Sequence, residues 1–348
     1  MTPARFLFPL LTLAATATLY AVPIQLVPVA DAGNAPDPLT GHGSVPYAYQ
    51  IGKYDVTVSQ YVEFLNARDP TAANTLGLYN PGMSTDPHVA GVALNPAAPA
   101  GTRYTVLPGQ GNKPITYVSW YSTLRFANWL NNGQGNADTE SGAYTLQGGT
   151  PTPANAASIT RNPTATIVLP TEDEWYKAAY YKGGGATAGY WLYATRSDTV
   201  PQSVPPRPTA ANAANYDSFT TGYALTGSLT LSDSQNYLTD VGAYGNSPGP
   251  YGTFDQAGDV FQWNQTLIDP AFRGQRGSSW ANCPCMLPST SRNYFTPTLE
   301  DPAVGFRVAS VPEPAGTLLV LVLTGPLFRR RKRDFAQLAS PPGGAGKL

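Results

Sequence analysis

Gly252-Thr253-Phe254-Asp255-Gln256-Ala257-Gly258-Asp259-Val260-Phe261-Gln262-Trp263 is the stretch on which the reading of the fold turns. Aspartate side chains bond their own backbone two residues on, so Asp255 and Asp259 read as turn caps ahead of an apolar residue that prefers the interior, Trp263. Working outward, three segments carry helix signals. Thr57-Val58-Ser59-Gln60 is a capping box ahead of Val58, Tyr61, Val62 and Leu65, spaced i, i+3, i+4, i+7. Ser119 is placed to cap a helix over residues 120–130, whose Phe126 and Trp129 widen its apolar surface beyond one stripe. Thr171-Glu172-Asp173-Glu174 is a second capping box, with three acids where the helix dipole favours them. Strands are expected within residues 47–54, 115–118, 166–169 and 305–309. Long Pro/Ala/Gly/Thr stretches at residues 69–112, 132–163 and 196–231 read as surface excursions or ligand loops, and no internal repeat is present.

Charged residues make up 12% of the chain, against about 25% in an average domain, and 34 glycines and 34 prolines force much of it into turns. The net charge of -1 gives no reason to expect nucleic acid as partner. Two histidines, His42 and His88, lie in no recognisable motif, which leaves a His-based zinc site or a Ser-His-Asp triad unsupported. No Gly-rich phosphate loop follows a strand pattern. The two cysteines, Cys283 and Cys285, flank Pro284; a bridge between such near neighbours is expected to be strained, and no long-range disulfide is possible. The six tryptophans read as core rather than as a substrate platform.

Both ends read as addresses. Arg5, an apolar run over residues 6–13 and the small residues around Ala17 and Ala21 have the order of a secretory signal peptide, assigned to residues 1–21. At the other end, residues 311–348, Val311-Pro312-Glu313-Pro314 precedes an apolar run of about 14 residues, which as a helix reaches about 21 Å against a hydrocarbon core of about 30 Å. Arg329-Arg330-Arg331-Lys332-Arg333 would hold that end in the cytoplasm. This tail resembles the PEP-CTERM signal. The resemblance implies an exosortase and the export machinery as partners, a transient inner-membrane contact through the tail, and release to the cell surface or medium.

Between the ends, residues 22–310 form the domain. Five blocks, in order, resemble the formylglycine-generating enzyme family, also called the sulfatase-modifying factor domain: Tyr49-Gln50-Ile51-Gly52-Lys53-Tyr54-Asp55-Val56-Thr57, Pro114-Ile115-Thr116-Tyr117-Val118-Ser119-Trp120, Leu169-Pro170-Thr171-Glu172-Asp173-Glu174-Trp175, the opening stretch through Trp263, and Arg276-Gly277-Ser278-Ser279-Trp280 with Gly305-Phe306-Arg307. The resemblance implies an α+β, C-type-lectin-like fold that is loop-rich, with few short helices and strands. Its chemistry is oxidation of a sulfatase cysteine to formylglycine by oxygen and Cu(I), held by two thiolates whose softness suits that metal. The two cysteine places of the family fall here on Asn282 and Leu287, with Cys283 and Cys285 displaced from them. The resemblance also implies calcium. One set of ligands would be Asp255, the carbonyls of Gly258 and Val260, and Gln262, which keeps an oxygen but not the charge of the family's glutamate; mixed side-chain and carbonyl oxygens are what Ca²⁺ accepts. A second set would be Asn215, the carbonyl of Tyr216, and Asp233.

The expectation is an exported protein that lacks cysteine oxidation and acts as a surface or matrix binding component, with a surface polysaccharide or a protein as ligand. The alternative is a copper-dependent formylglycine-generating oxidase that uses Cys283 and Cys285 in an altered geometry. A third reading, a different enzyme on the same scaffold, has no visible nucleophile and base to carry it.

Overall fold

The three helix starts are built as the sequence dictates in this computed structural model, which describes residues 22–185 and 188–312. The segments expected to be a signal peptide, residues 1–21, and a sorting tail, residues 311–348, lie outside the described residues except for Val311 and Pro312. Helix α1, Val58–Arg68, opens on Thr57, whose side chain accepts from the Gln60 amide while the Gln60 side chain accepts from the Thr57 amide. After a single turn, α2 (Gly82–Thr85), comes α3 (Trp120–Asn131), capped by Ser119 and buried from Trp120 through Trp129. Burial on all sides is what an amphipathic stripe widened by Phe126 and Trp129 produces. Helix α4, Glu172–Tyr180, repeats the capping box with Thr171 and Glu174.

The strands are short: β1 Leu26–Val29, β2 Tyr49–Gly52, β3 Val92–Leu94, β4 Tyr104–Val106, β5 Ile167–Val168, β6 Gln202–Ser203, β7 Ala213–Ala214, β8 Phe261–Asp269, β9 Phe272–Arg276, β10 Asn293–Phe295, β11 Val304–Phe306 and β12 Ala309–Ser310. One sheet has the order β1-β2-β12-β5, and the other β10-β9-β8-β11. The opening stretch ends in β8, where Phe261, Gln262 and Trp263 pair in parallel with Val304, Gly305 and Phe306. Segments far apart in the chain are thereby joined.

Two strand expectations differ from the structure. Residues 305–309 are one strand by pattern but two in fact, because the chain leaves one sheet at Phe306 and enters the other at Ala309. Arg307 sits at that crossing, and its guanidinium turns inward to polar partners. Residues 115–118 form no strand. Ile115 N reaches Val56 O, but Tyr117 adopts a positive φ of 59° and its amide turns to Asp301 O. The stretches read as loops carry little regular structure beyond the β3–β4 hairpin, the β6–β7 pair and α2.

The main core is aromatic. Tyr61 and Phe64 of α1 meet Phe126 and Trp129 of α3 and Phe306 of β11, with ring centroids 5.3–6.5 Å apart, the range of favourable edge and offset contacts. Trp120, Trp129, Trp175, Trp263 and Trp280 are all buried, while Trp191 is half-buried beneath the Lys182 ammonium at 4.3 Å. No helix among the described residues is long and apolar enough to cross a membrane.

Candidate functional site

The loop from Asp255 to Gln262 is held by backbone geometry that few residues tolerate. Asp255, Gly258 and Asp259 all have positive φ, which aspartate accepts more readily than bulky residues and glycine accepts freely. A side-chain carbon at Gly258 would fall onto the carbonyl of Asn215, so glycine is required there on both counts. The turn presses Asp259 against neighbouring loops: its carboxylate accepts from Asn215 Nδ2 at 2.8 Å and from Thr239 N and Oγ1 at 3.1 and 3.0 Å. Asp255 Oδ2 accepts from Gly242 N at 2.7 Å. Burial, then the nearby Asp259 charge, pushes Asp255 up to about 7; burial pushes Asp259 up to about 6, against its three hydrogen bonds.

Beside them lies a buried polar hub. Arg307 is fully buried and donates to Gln262 Oε1 at 2.6 Å, Gly52 O at 2.9 Å, Phe254 O at 2.8 Å and Asp55 Oδ1 at 3.2 Å. Burial holds Asp55 well above the usual carboxylate range, with Arg307 pulling the other way. Gln262 Oε1 also accepts from Trp175 Nε1 at 2.5 Å, and Gln262 Nε2 donates to Asp255 O at 2.7 Å. The hub ties three of the five quoted blocks together directly, and a fourth through Trp175.

For calcium, the residues fit in part. Gln262 Oε1 is committed to two donors, one of them a guanidinium, and offers a cation nothing as it stands. Asp255 is the charged donor that remains, with the Gly258 and Val260 carbonyls in the same loop. In the second set, Asn215 Nδ2 is spent on Tyr237 O and Asp259, and Tyr216 O accepts from Ser203 Oγ and Ala224 N. Asp233 extends from the surface to His88 Nε2 at 3.2 Å. Among the described residues, no group of three or more His, Cys, Asp or Glu side chains is placed to hold a metal ion.

The segment after Trp280 forms one wall of a cleft of about 480 Å³, whose lining includes Asp86, His88, Gln275, Trp280, Asn282 and Asp301. Trp280 N bonds to Asp259 O at 2.9 Å, so the Asp255–Gln262 turn positions this wall. The Trp280 ring stacks on Tyr237 at 5.2 Å and tilts against His88 at 6.2 Å. Asn282 is fixed by its amide to Ser279 O, by its carbonyl accepting from Asp217 N, and by its side chain accepting from Ser279 Oγ. Leu287 is 1% exposed and packs in a cluster with Trp175 and Tyr176. Between them, Cys283 and Cys285 are joined in a disulfide, their Cα atoms 5.2 Å apart. The bridge spans a turn over Pro284–Met286, closed by Met286 N to Cys283 O. Sequence reasoning passed over His88, Asp86, Gln275 and Asp301 as cleft residues, because they meet only through contacts between distant segments. A larger cavity, about 550 Å³, opens beside α1 with Asp55 and Asp240 in its lining, away from the Asn282 segment.

Short helices and strands carried on long loops around a polar hub define an α+β, loop-rich protein. The chain matches the Sulfatase-modifying factor enzyme 1-like domain over residues 37–311, and it belongs to that family. Solved structures similar to it include Treponema denticola variable protein 1, at 20% identity and a TM-score of 0.48 over 85% of this chain and 98% of that one. CarF is similar at 22% identity and a TM-score of 0.49, over 83% of this chain and 99% of that one. PvdO from Pseudomonas aeruginosa is similar at 18% identity and a TM-score of 0.42, over 84% and 93%. No curated protein matches the chain.

Proposed function

We propose that this chain is an exported member of the family that does not oxidise cysteine and instead binds a ligand, a surface polysaccharide or a protein, in the cleft beside Trp280 and Asn282. One observation carries the reading. Of the two places where the resemblance puts copper-binding thiolates, one holds the amide of Asn282 and the other a buried Leu287, while the chain's two cysteines are spent on each other. A Cu(I) site needs free soft donors, and the bridged form supplies none. The alternative, an oxidase built on Cys283 and Cys285, requires that bridge to open and to close on metal. The test is incubation of the purified protein with a Cys-x-Pro-x-Arg peptide, Cu(I) and oxygen; the peptide is expected to stay unoxidised.

Calcium enters this proposal as a stabilising ion at Asp255 with the carbonyls of Gly258 and Val260. One charged donor places the affinity in the roughly 10⁻⁴–10⁻³ M range of extracellular modules. Asp255 titrates near 7 in the folded chain against 3.8 ordinarily, so its protonated form favours folding. That contribution is complete below about pH 4 and is lost as pH rises through about 7. Ca²⁺ acts on the ionised form and therefore in the opposite pH range. At pH 8, Ca²⁺ at a hundredfold excess over its Kd is expected to add about 2.7 kcal/mol, raising Tm; at pH 5 the gain should be small. Asp255→Asn should lose the calcium response and part of the pH dependence, leaving the share due to Asp259. Calcium that raises the Tm of Asp255→Asn as far as that of the parent would refute the assignment.

Export and sorting are proposed from the two ends of the sequence. The mature protein is expected to begin after Ala17 or Ala21 and to end near Pro314. Intact-mass measurement on protein from its native host checks this, and a stable membrane form still carrying Leu348 would make the tail an anchor.

A further inference from the structure

We infer that the Cys283–Cys285 bridge is a thiol–disulfide exchange site, reducible by a thiol-bearing molecule that reaches the rim of the cleft. The inference is independent of ligand binding in the cleft and would survive its failure.

Three observations carry it. First, the bridge closes a loop of only three residues. A disulfide stabilises a fold chiefly by restricting the unfolded chain, and the restriction shrinks with loop length. A bridge this short is a poor staple, and the two sheets and the Arg307 hub assemble without it. Second, the turn is exposed at Cys285 and anchored just beyond it. Cys285 is exposed and Cys283 half-buried, whereas Leu287 is buried at 1% exposure and Leu287 N bonds to Pro284 O. Exposed disulfides are the labile ones, because an attacking thiolate needs a line of approach to a sulfur. Third, the residues bracketing the bridge, Asn282 and Met286, both line the cleft, which puts the disulfide turn at the rim of the cleft. The chain has no other cysteine, so the electrons must come from outside it.

The step balances as follows. A thiolate attacks Sγ of Cys285, the more exposed of the two residues, the Cys283–Cys285 bond breaks, and the Cys283 sulfur leaves as a thiolate that takes a proton from water. A second thiol attacks the partner sulfur of the mixed disulfide, releasing an oxidised partner and leaving Cys285 as a thiol. Two electrons and two protons have then passed to the chain, and an external disulfide restores the bridge by the reverse sequence.

The test equilibrates the purified protein in glutathione buffers of graded reduced-to-oxidised ratio, blocks free thiols by alkylation and counts them by mass. Half-reduction is expected within the span of ratios that glutathione buffers, with little change in Tm between the two forms. A bridge still intact in a thousandfold excess of reduced glutathione, or a large fall in Tm on reduction, would assign it a structural role and overturn the inference. A second arm treats Cys283→Ser and Cys285→Ser with oxidised glutathione. Cys285 in the first variant is expected to form the mixed disulfide at least tenfold faster than Cys283 in the second, and equal rates would contradict attack at Cys285.

Discussion

Arg307→Met is expected to leave the chain largely unfolded, or to lower its stability by about 3–5 kcal/mol, the cost of breaking a buried ion pair from one side. The loss is large because the guanidinium serves four partners from two distant segments: Gly52 O and Asp55 in one, Phe254 O and Gln262 in the other. Methionine fills much of the volume but leaves Asp55, whose side chain is fully buried, without its cation, and Gln262 without one of its donors. Against a total stability of about 5–15 kcal/mol, that is about a fifth or more. Denaturant titration of parent and variant measures it. A midpoint shift equivalent to less than about 1 kcal/mol would mean that the sheets are held together by apolar packing alone.

Glu172→Ala should produce a loss of similar size by a different route. Both oxygens of Glu172, itself buried, are used: Arg276 approaches Oε1 at 2.7–2.8 Å, and Arg292 reaches Oε1 at 2.9 Å and also Oε2. Arg276 in turn donates to the carbonyls of Ser289 and Ser291, so the carboxylate at the start of α4 fixes the segment that follows the disulfide turn. Removal leaves the buried Arg276 guanidinium without its carboxylate, a cost of about 3–5 kcal/mol, and frees the exposed Arg292 as well. The variant should also be cut by protease first within residues 284–292, whereas Arg307→Met should open the chain as a whole. Early cleavage elsewhere would show that Glu172 does not govern this wall of the cleft.

The parts of the fold that depend on near neighbours could be read directly. Thr57 with Gln60, Ser119, and Thr171 with Glu174 announce helix starts because a cap is a bond between residues three apart. The opening stretch and its companions gave the family, which the match over residues 37–311 bears out. What the sequence hid is made by residues far apart. The pattern at residues 305–309 could not show that Arg307 would be drawn to Asp55, 252 positions away, and break the strand in two. The same distance problem hid the cleft, since Asp86 and His88 share one loop, Gln275 and Asp301 lie about two hundred positions on, and none stands in a motif. The cysteine pair illustrates a different limit. Separation by one residue argues for strain, but whether a turn forms over Pro284 depends on the anchoring of Leu287, which is a tertiary contact.

Mass spectrometry of a Cys-x-Pro-x-Arg peptide, incubated with the purified protein, Cu(I) and oxygen, tests the central claim most directly. The account predicts that the peptide cysteine is recovered as a thiol or a disulfide at every time point, with no mass corresponding to formylglycine. The resemblance puts Asn282 and Leu287 at the places of the metal-holding thiolates, and Cys283 is bonded to Cys285. Formation of formylglycine that disappears in both Cys283→Ala and Cys285→Ala would contradict it and establish the chain as an oxidase of altered geometry.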